Sequence, residues 1–354
     1  MPVVHRSRTA VLAAVAVATL ALAGCGETTD DPADSIVRTT TRIAGAAVVG
    51  VDRDTTTACP LPSPLDAGQP ATGTRTVLHT AGTAEVPADP QRIVVLDLAA
   101  MDAVCALGLW ERVVGVAFTP IDPGYFDYLG TGIAELPSVG SGDVPDLDLV
   151  AQAQPDLILG SSADADLYDR LDAIAPTVTV GSDPVFWREQ FLRVGDALGR
   201  RDAAQRVLDD YLLAATEVGR ELASSQTQAS IVRFTADGPV VEGTASFAGQ
   251  VMADAGAARP PAQRFGVVEG RSFEPVDPDD PAAADADVLF VRFDGDAGLA
   301  EGTEYMETDR WLDLGAVSDS RLFAVTDDVW STPGPVAARA VLTDLKVALN
   351  GYSH

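Results

Sequence analysis

Lysine is almost missing from this chain of 354 residues. Lys346 is the only one, set against 23 arginines, and it follows Leu345 rather than glycine, which excludes a P-loop. Histidine is nearly as scarce: His5, His79 and His354. Three scattered imidazoles make no transition-metal set, and three cysteines (Cys25, Cys59, Cys105) fall short of a four-thiolate zinc site. No Gly-x-Gly-x-x-Gly or Gly-x-Ser-x-Gly run occurs. A secreted hydrolase is disfavoured for want of a positioned base. Cations are in deficit overall, 24 against 52 carboxylates, for a net charge of −28. So acidic a surface repels phosphate backbones and anionic headgroups, which argues against nucleic acid and against electrostatic membrane docking. What is plentiful is apolar side chain, 47% of residues, enough for a packed core. A binding protein fits this inventory better than an enzyme, with no catalytic residue, no resident cofactor and no protein-bound metal.

His5, Arg6 and Arg8 precede the apolar run Ala10–Ala23, which is too short to span a bilayer and suits a signal peptide. The run ends in Leu22-Ala23-Gly24-Cys25, which resembles the bacterial lipobox. On that reading residues 1–24 are removed and Cys25 carries lipid, so the chain sits at the extracytoplasmic face of the cell membrane and touches it by the anchor alone. Cys59 and Cys105 then have one possible pairing, which would staple the tail to the first lobe; the alternative is two separate buried thiols. Residues 25–75, rich in Thr, Asp, Pro and Gly, read as a flexible tether, within which the short apolar patch Ile43–Val51 is fit to dock locally. His79, at its edge, reads as a surface or capped residue.

Beyond it, buried-type strands alternate with helices. Ile93–Leu96 is followed by a helix that Asp97 can cap, then by Val113–Val116, Leu157–Leu159 and Val178–Val180. Asp202–Ala223 carries the 3,4-spaced stripe of a long amphipathic helix. The pattern restarts with Ser230–Thr235, a hairpin at Asp237-Gly238, Val288–Phe293 and Leu322–Val325, and closes on a helix from Pro335. This predicts an α/β protein with an N-terminal lobe over 76–186, connecting helices over 187–224 and a C-terminal lobe over 225–354.

The lipobox, Pro90–Leu96, Leu107-Gly108-Leu109, Pro155–Gly160, Ala175-Pro176-Thr177, Ala286–Phe290 and Trp330-Ser331-Thr332 together resemble the binding proteins of iron–siderophore ABC importers. The tail (Thr40–Ala46) and the Cys59/Cys105 pair resemble mycobacterial iron(III)-dicitrate-type lipoproteins. The resemblance implies two Rossmann-like lobes with central sheets joined by one long helix, the class III solute-binding fold, acting as a monomer. It implies a ferric siderophore or ferric citrate in the cleft, delivered to ABC permease subunits. Haem or cobalamin in the same fold, or an envelope interaction role without transport, are the alternatives. Ligands lie beyond the carboxyl ends of strands. There, Tyr125, Tyr168, Trp187 and Trp330 are candidate aromatic walls, and Arg233, Arg292 and Arg339 candidate forks for chelate oxygens. The alternative for each is a core aromatic or a structural ion pair. By the same resemblance, Asp102 and Glu274 would dock the permease, although the family commonly carries Glu at the first; the alternative is a solvated carboxylate.

Overall fold

In the computed structural model, residues 41–118, 127–141, 144–161 and 164–349 are described. Cys25 and Tyr125 lie outside them. Four parallel strands form the N-terminal sheet, in the order Thr177–Thr179, Leu157–Gly160, Ile93–Val95, Val113–Val116. Nearly every residue in them is buried, as helices on both faces require. The C-terminal sheet has seven strands: Arg42–Ile43, Ala46–Val48, Leu322–Ala324, Val288–Phe293, Ala229–Thr235, Gly238–Glu242 and Phe273–Pro275. The hairpin turns at Gly238, whose φ of +113° only glycine adopts without strain.

The bridge helix runs from Arg201 to Glu221, about 32 Å at 1.5 Å per residue. Ala203, Ala204, Leu208, Tyr211, Ala215 and Val218 form its buried stripe, whereas Leu212, four residues after Leu208, faces out. Asp202 does not cap it; the cap position is Arg200, with no side-chain hydrogen bond. One apolar cluster runs through both lobes, joining Ile93 and Val95 to Ile231 and Phe290 through Trp187, Phe247 and Trp330. A shared, close-packed core resists wide lobe separation.

The expected tether is partly structure. Ala46–Val48 pairs in parallel with Leu322–Ala324, adding a strand to the C-terminal sheet. Cys59 and Cys105 form a disulfide, their Cα atoms 4.7 Å apart. Among the described residues no helix is long and apolar enough to cross a membrane.

Two further expectations are corrected here. His79 is buried rather than superficial: the hairpin Thr74–His79/Gly82–Pro87 lays it against Thr179, and its Nε2 lies 3.4 Å from the Tyr168 hydroxyl. Asp102 is no surface carboxylate. It sits on the helix Leu98–Ala106 with no exposed area, and accepts the N–H groups of Val336 and Ala337 at 2.9 and 2.8 Å. It thus caps the last helix, Pro335–Leu349, satisfying donors that the helix cannot. Burial pushes its pKa up to about 7, against the pull of those two N–H groups and the neighbouring Tyr128. A residue with no exposed surface cannot dock a permease.

Candidate functional site

At the strand ends of the first lobe, Asp97 caps its helix through the Ala100 N–H at 2.9 Å and accepts the Ser161 hydroxyl at 2.7 Å. These two groups satisfy each other and tie the end of one strand to the start of the neighbouring strand's helix. The turn Pro184–Phe186 follows, against the start of the helix Phe247–Asp254. Gln250 ties them, donating to the carbonyls of Pro184 and Ala245 at 3.1 Å each and accepting from Arg188 at 2.9 Å. At this seam the two lobes meet.

On the second lobe, Arg233 and Arg292 are register partners on neighbouring parallel strands, so both guanidiniums leave the same face of the sheet. Two like charges side by side need a counter-ion, and the antiparallel neighbour supplies Glu242. Glu242 accepts from Arg292 Nε and Nη2 at 2.9 and 2.6 Å and lies 3.9 Å from Arg233. Burial alone would raise the Glu242 pKa, but Arg292 above all, helped by Arg233 and Ser246, holds it below the usual carboxylate range. Asp327 closes the third side by accepting from Arg292 Nη1. Burial disfavours the Arg292 charge, but Glu242 and Asp327 outweigh it and raise its pKa. Arg292 is therefore saturated by protein carboxylates and 9% exposed, which makes it a structural ion pair rather than a free fork.

Arg233 differs. Its side chain is 20% exposed and its ion pairs are long, 3.9 Å to Glu242 and 3.5 Å to Asp294. Its guanidinium lies 4.7 Å over the Phe273 ring, and Arg271 sits 5.7 Å from the same ring. Residues from the hairpin, from 271–278 and from the helix Gly295–Met306 enclose a cavity of 610 Å³ beside these arginines. Asp237, Asp294 and Glu301 also line it, so its wall carries both signs of charge.

The two tryptophans are core residues. Trp187 packs edge-on to Tyr211 and Phe247 with no exposed surface, while its neighbour Phe186 is 52% exposed at the lobe seam. A one-residue shift thus decides which aromatic faces outward, and apolar character alone gives no sign of it. Trp330 packs on Phe290 and donates from Nε1 to Asp344 at 2.9 Å. Tyr168 is half-buried against His79, away from the arginine pair's partners. Arg339 is exposed on the last helix and lines a separate 410 Å³ groove with Arg53, Tyr128 and Asp210. Glu274 is half-buried on the edge strand Phe273–Pro275. Of the proposed ligand residues that are described, then, the fold brings together only Arg233 and Arg292.

Arg271 and Phe273 were missed by sequence reasoning. The signal was available: Phe273 stands two residues from Arg271, the spacing that puts both on one face of an extended segment. Only the strand order, however, sets them beside Arg233. Among the described residues no group of three His, Cys, Asp or Glu side chains is arranged to hold a metal ion.

Comparison with known proteins matches this architecture. The probable siderophore-binding lipoprotein YfiY of Bacillus subtilis is 32% identical over 77% of this chain and 86% of its own length. The Fe(3+)-citrate-binding protein YfmC of the same organism is 24% identical over 73% of this chain and 80% of its own. Among solved structures, Staphylococcus aureus SirA complexed with staphyloferrin B superposes with a TM-score of 0.66 at 26% identity, covering 78% of this chain and 99% of SirA. The family model described as periplasmic binding protein matches residues 93–329, which take in the N-terminal sheet, the bridge helix and five strands of the C-terminal sheet, and the chain belongs to that family.

Proposed function

We propose that this protein captures a ferric siderophore or ferric citrate between its lobes and hands it to an ABC importer, held at the extracytoplasmic membrane face by lipid on Cys25. The observation that carries the reading is Arg233: a partly exposed guanidinium with only long ion pairs, stacked on Phe273 beside Arg271 at the wall of a 610 Å³ groove that the C-terminal lobe lines. A group in that state has hydrogen-bonding capacity left for the oxygens of an anionic chelate, in the bidentate manner that suits arginine. The relatives named above for siderophore and Fe(3+)-citrate binding support it. Phe186, 52% exposed in the turn Pro184–Phe186, leaves an aromatic surface open where Trp187 was expected to supply one.

Titration of the protein with ferric citrate and with ferric catecholate and hydroxamate chelates, each against its iron-free form, tests the reading. At least one ferric chelate is expected to bind. Arg233→Ala should weaken that complex about 10- to 150-fold, since a charged hydrogen bond contributes about 1.5–3 kcal/mol. Wild-type affinity in a folded Arg233→Ala protein, or no binding of any ferric chelate, would sink the assignment. For the anchor, Cys25→Ala is expected to release the protein from membranes or leave its precursor uncut. Mature Cys25→Ala protein still fractionating with membranes would remove the lipid from the scheme.

A further inference from the structure

The bridge helix is not the only crossing between the lobes. The segment Ala46–Asp66 is anchored in both. At one end, Ala47 and Val48 pair with Phe323 and Ala324 in the C-terminal sheet, and the Val49 N–H donates to the Ala324 carbonyl at 3.0 Å. In mid-course, Arg53 donates to Asp344 on the last helix at 2.7 Å, a carboxylate that also takes the Trp330 N–H. At the other end, Cys59 is bonded to Cys105 in the first helix of the N-terminal lobe. The attachment continues past the disulfide. The Ser63 N–H donates to the Leu107 carbonyl at 3.0 Å, Arg200 donates to the Ser63 carbonyl at 3.0 Å, and the Asp66 N–H donates to the Gly199 carbonyl at 3.0 Å. Gly108 shows how close the fit is: a Cβ there would lie 2.3 Å from the Leu61 carbonyl oxygen, so the segment's backbone rests directly on the turn that ends the first helix.

We propose that Ala46–Asp66 is an interlobe strap: a β-strand pairing in one lobe and a disulfide in the other, with a turn-containing span between, pinned midway by Arg53 to Asp344, that holds the lobes within a narrow range of separations. A binding protein whose lobes are held in register loses less conformational freedom on closing around a ligand, and its empty state already resembles its filled one. The bridge helix and shared core set the hinge; the strap limits its travel. A disulfide that only lowered the entropy of the unfolded chain would stabilise the protein without coupling the two ends of this segment.

The test measures lobe separation in the full chain without ligand. Dyes are attached through genetically encoded azide residues at Asp148 and Glu269, one exposed position on each lobe, and the distance distribution is read by single-molecule energy transfer. In the Cys59→Ser, Cys105→Ser protein the distribution is expected to become at least twice as broad. Amide exchange in Ala46–Val48, in the opposite lobe from Cys105, should quicken at least tenfold, while Ile93–Val95 keeps its protection. Val49→Pro leaves the disulfide intact and deletes the N–H that holds the other end. It is expected to broaden the distribution likewise, and it decides the matter alone if the serine variant fails to fold. Unchanged width in folded Val49→Pro protein overturns the strap, as does a serine variant whose exchange rises uniformly with no change in width.

Discussion

Arg292→Ala is expected to cost about 3–5 kcal/mol of folding stability at pH 7, because it strips the buried Glu242 of both its short hydrogen bonds and leaves it only the long pair to Arg233. Chemical denaturation at pH 7 reads the loss directly. Glu242 also sets the pH dependence. Its folded pKa lies below the ordinary carboxylate value, so the stability it contributes is present above the unfolded pKa of about 4.3 and is lost as pH falls through the folded value. Wild type should therefore weaken in acid below about pH 4. Arg292→Ala removes the partner that depresses the Glu242 pKa, so the burial that opposes it prevails and the variant should instead gain stability as Glu242 protonates at mildly acidic pH. The double variant Arg292→Ala, Glu242→Ala should recover part of the loss at pH 7, since it removes the buried carboxylate and leaves only the more exposed Asp327 without its partner. A loss below about 1 kcal/mol in the single variant would mean that water or Arg233 replaces Arg292 as counter-ion.

Asp102→Ala comes next in size, at about 2–4 kcal/mol when measured at pH 5, because it leaves the buried N–H groups of Val336 and Ala337 without acceptors. The sign of its pH dependence is opposite to that of Glu242. With a folded pKa of about 7 against about 3.9 unfolded, the native state holds this proton more tightly. Stability from this group is then full below the unfolded pKa and is lost as pH rises to about 7, about 4 kcal/mol in all. Asp102→Asn keeps an acceptor and cannot ionise, so its stability should change less than that of wild type between pH 4 and 7. Parallel pH profiles for Asn and wild type would show that Asp102 is not the titrating group. The close approach also explains Gly334, where a Cβ would lie 2.3 Å from the Asp102 carboxyl group.

Local patterns carried far in this chain. Short runs of Ile, Val and Leu bounded by Pro and Gly marked the buried parallel strands, because such strands need apolar side chains on both faces. The 3,4-spaced stripe marked the bridge helix, and a cysteine count with one possible partner marked the disulfide. The same methods failed where an element's meaning depends on what packs against it. Residues 41–75 have a tether's composition, yet Ala46–Val48 is a strand because the exposed edge at Leu322–Ala324 offers it hydrogen bonds. The helix Gly295–Met306 was missed, since its two internal glycines weaken the local signal; Gly298 and Gly302 are there because it packs closely on the Phe234 backbone and ring.

The candidate site shows the same division more sharply. Composition, strand–helix pattern and resemblance together pointed to an acidic α/β binding protein, short of lysine and of imidazole, whose arginines were the natural choice for an anionic ligand. It held no information on which arginine was free. Arg233 and Arg292 stand in equivalent register on adjacent strands, and the difference between them is made by Glu242 and Asp327, 50 and 35 residues from Arg292 in sequence. Trp187 and Phe186 adjoin in the chain, and the packing of Tyr211 and Phe247 buries one and leaves the other at the seam. Asp102 was a docking carboxylate by resemblance alone, and the last helix, more than 230 residues on, brings two N–H groups to it and buries it. Periodicity, capping and turn chemistry act between near neighbours and are written in the order of residues. Burial and ion pairing act between groups that meet only when the chain has folded, so those were settled by tertiary packing.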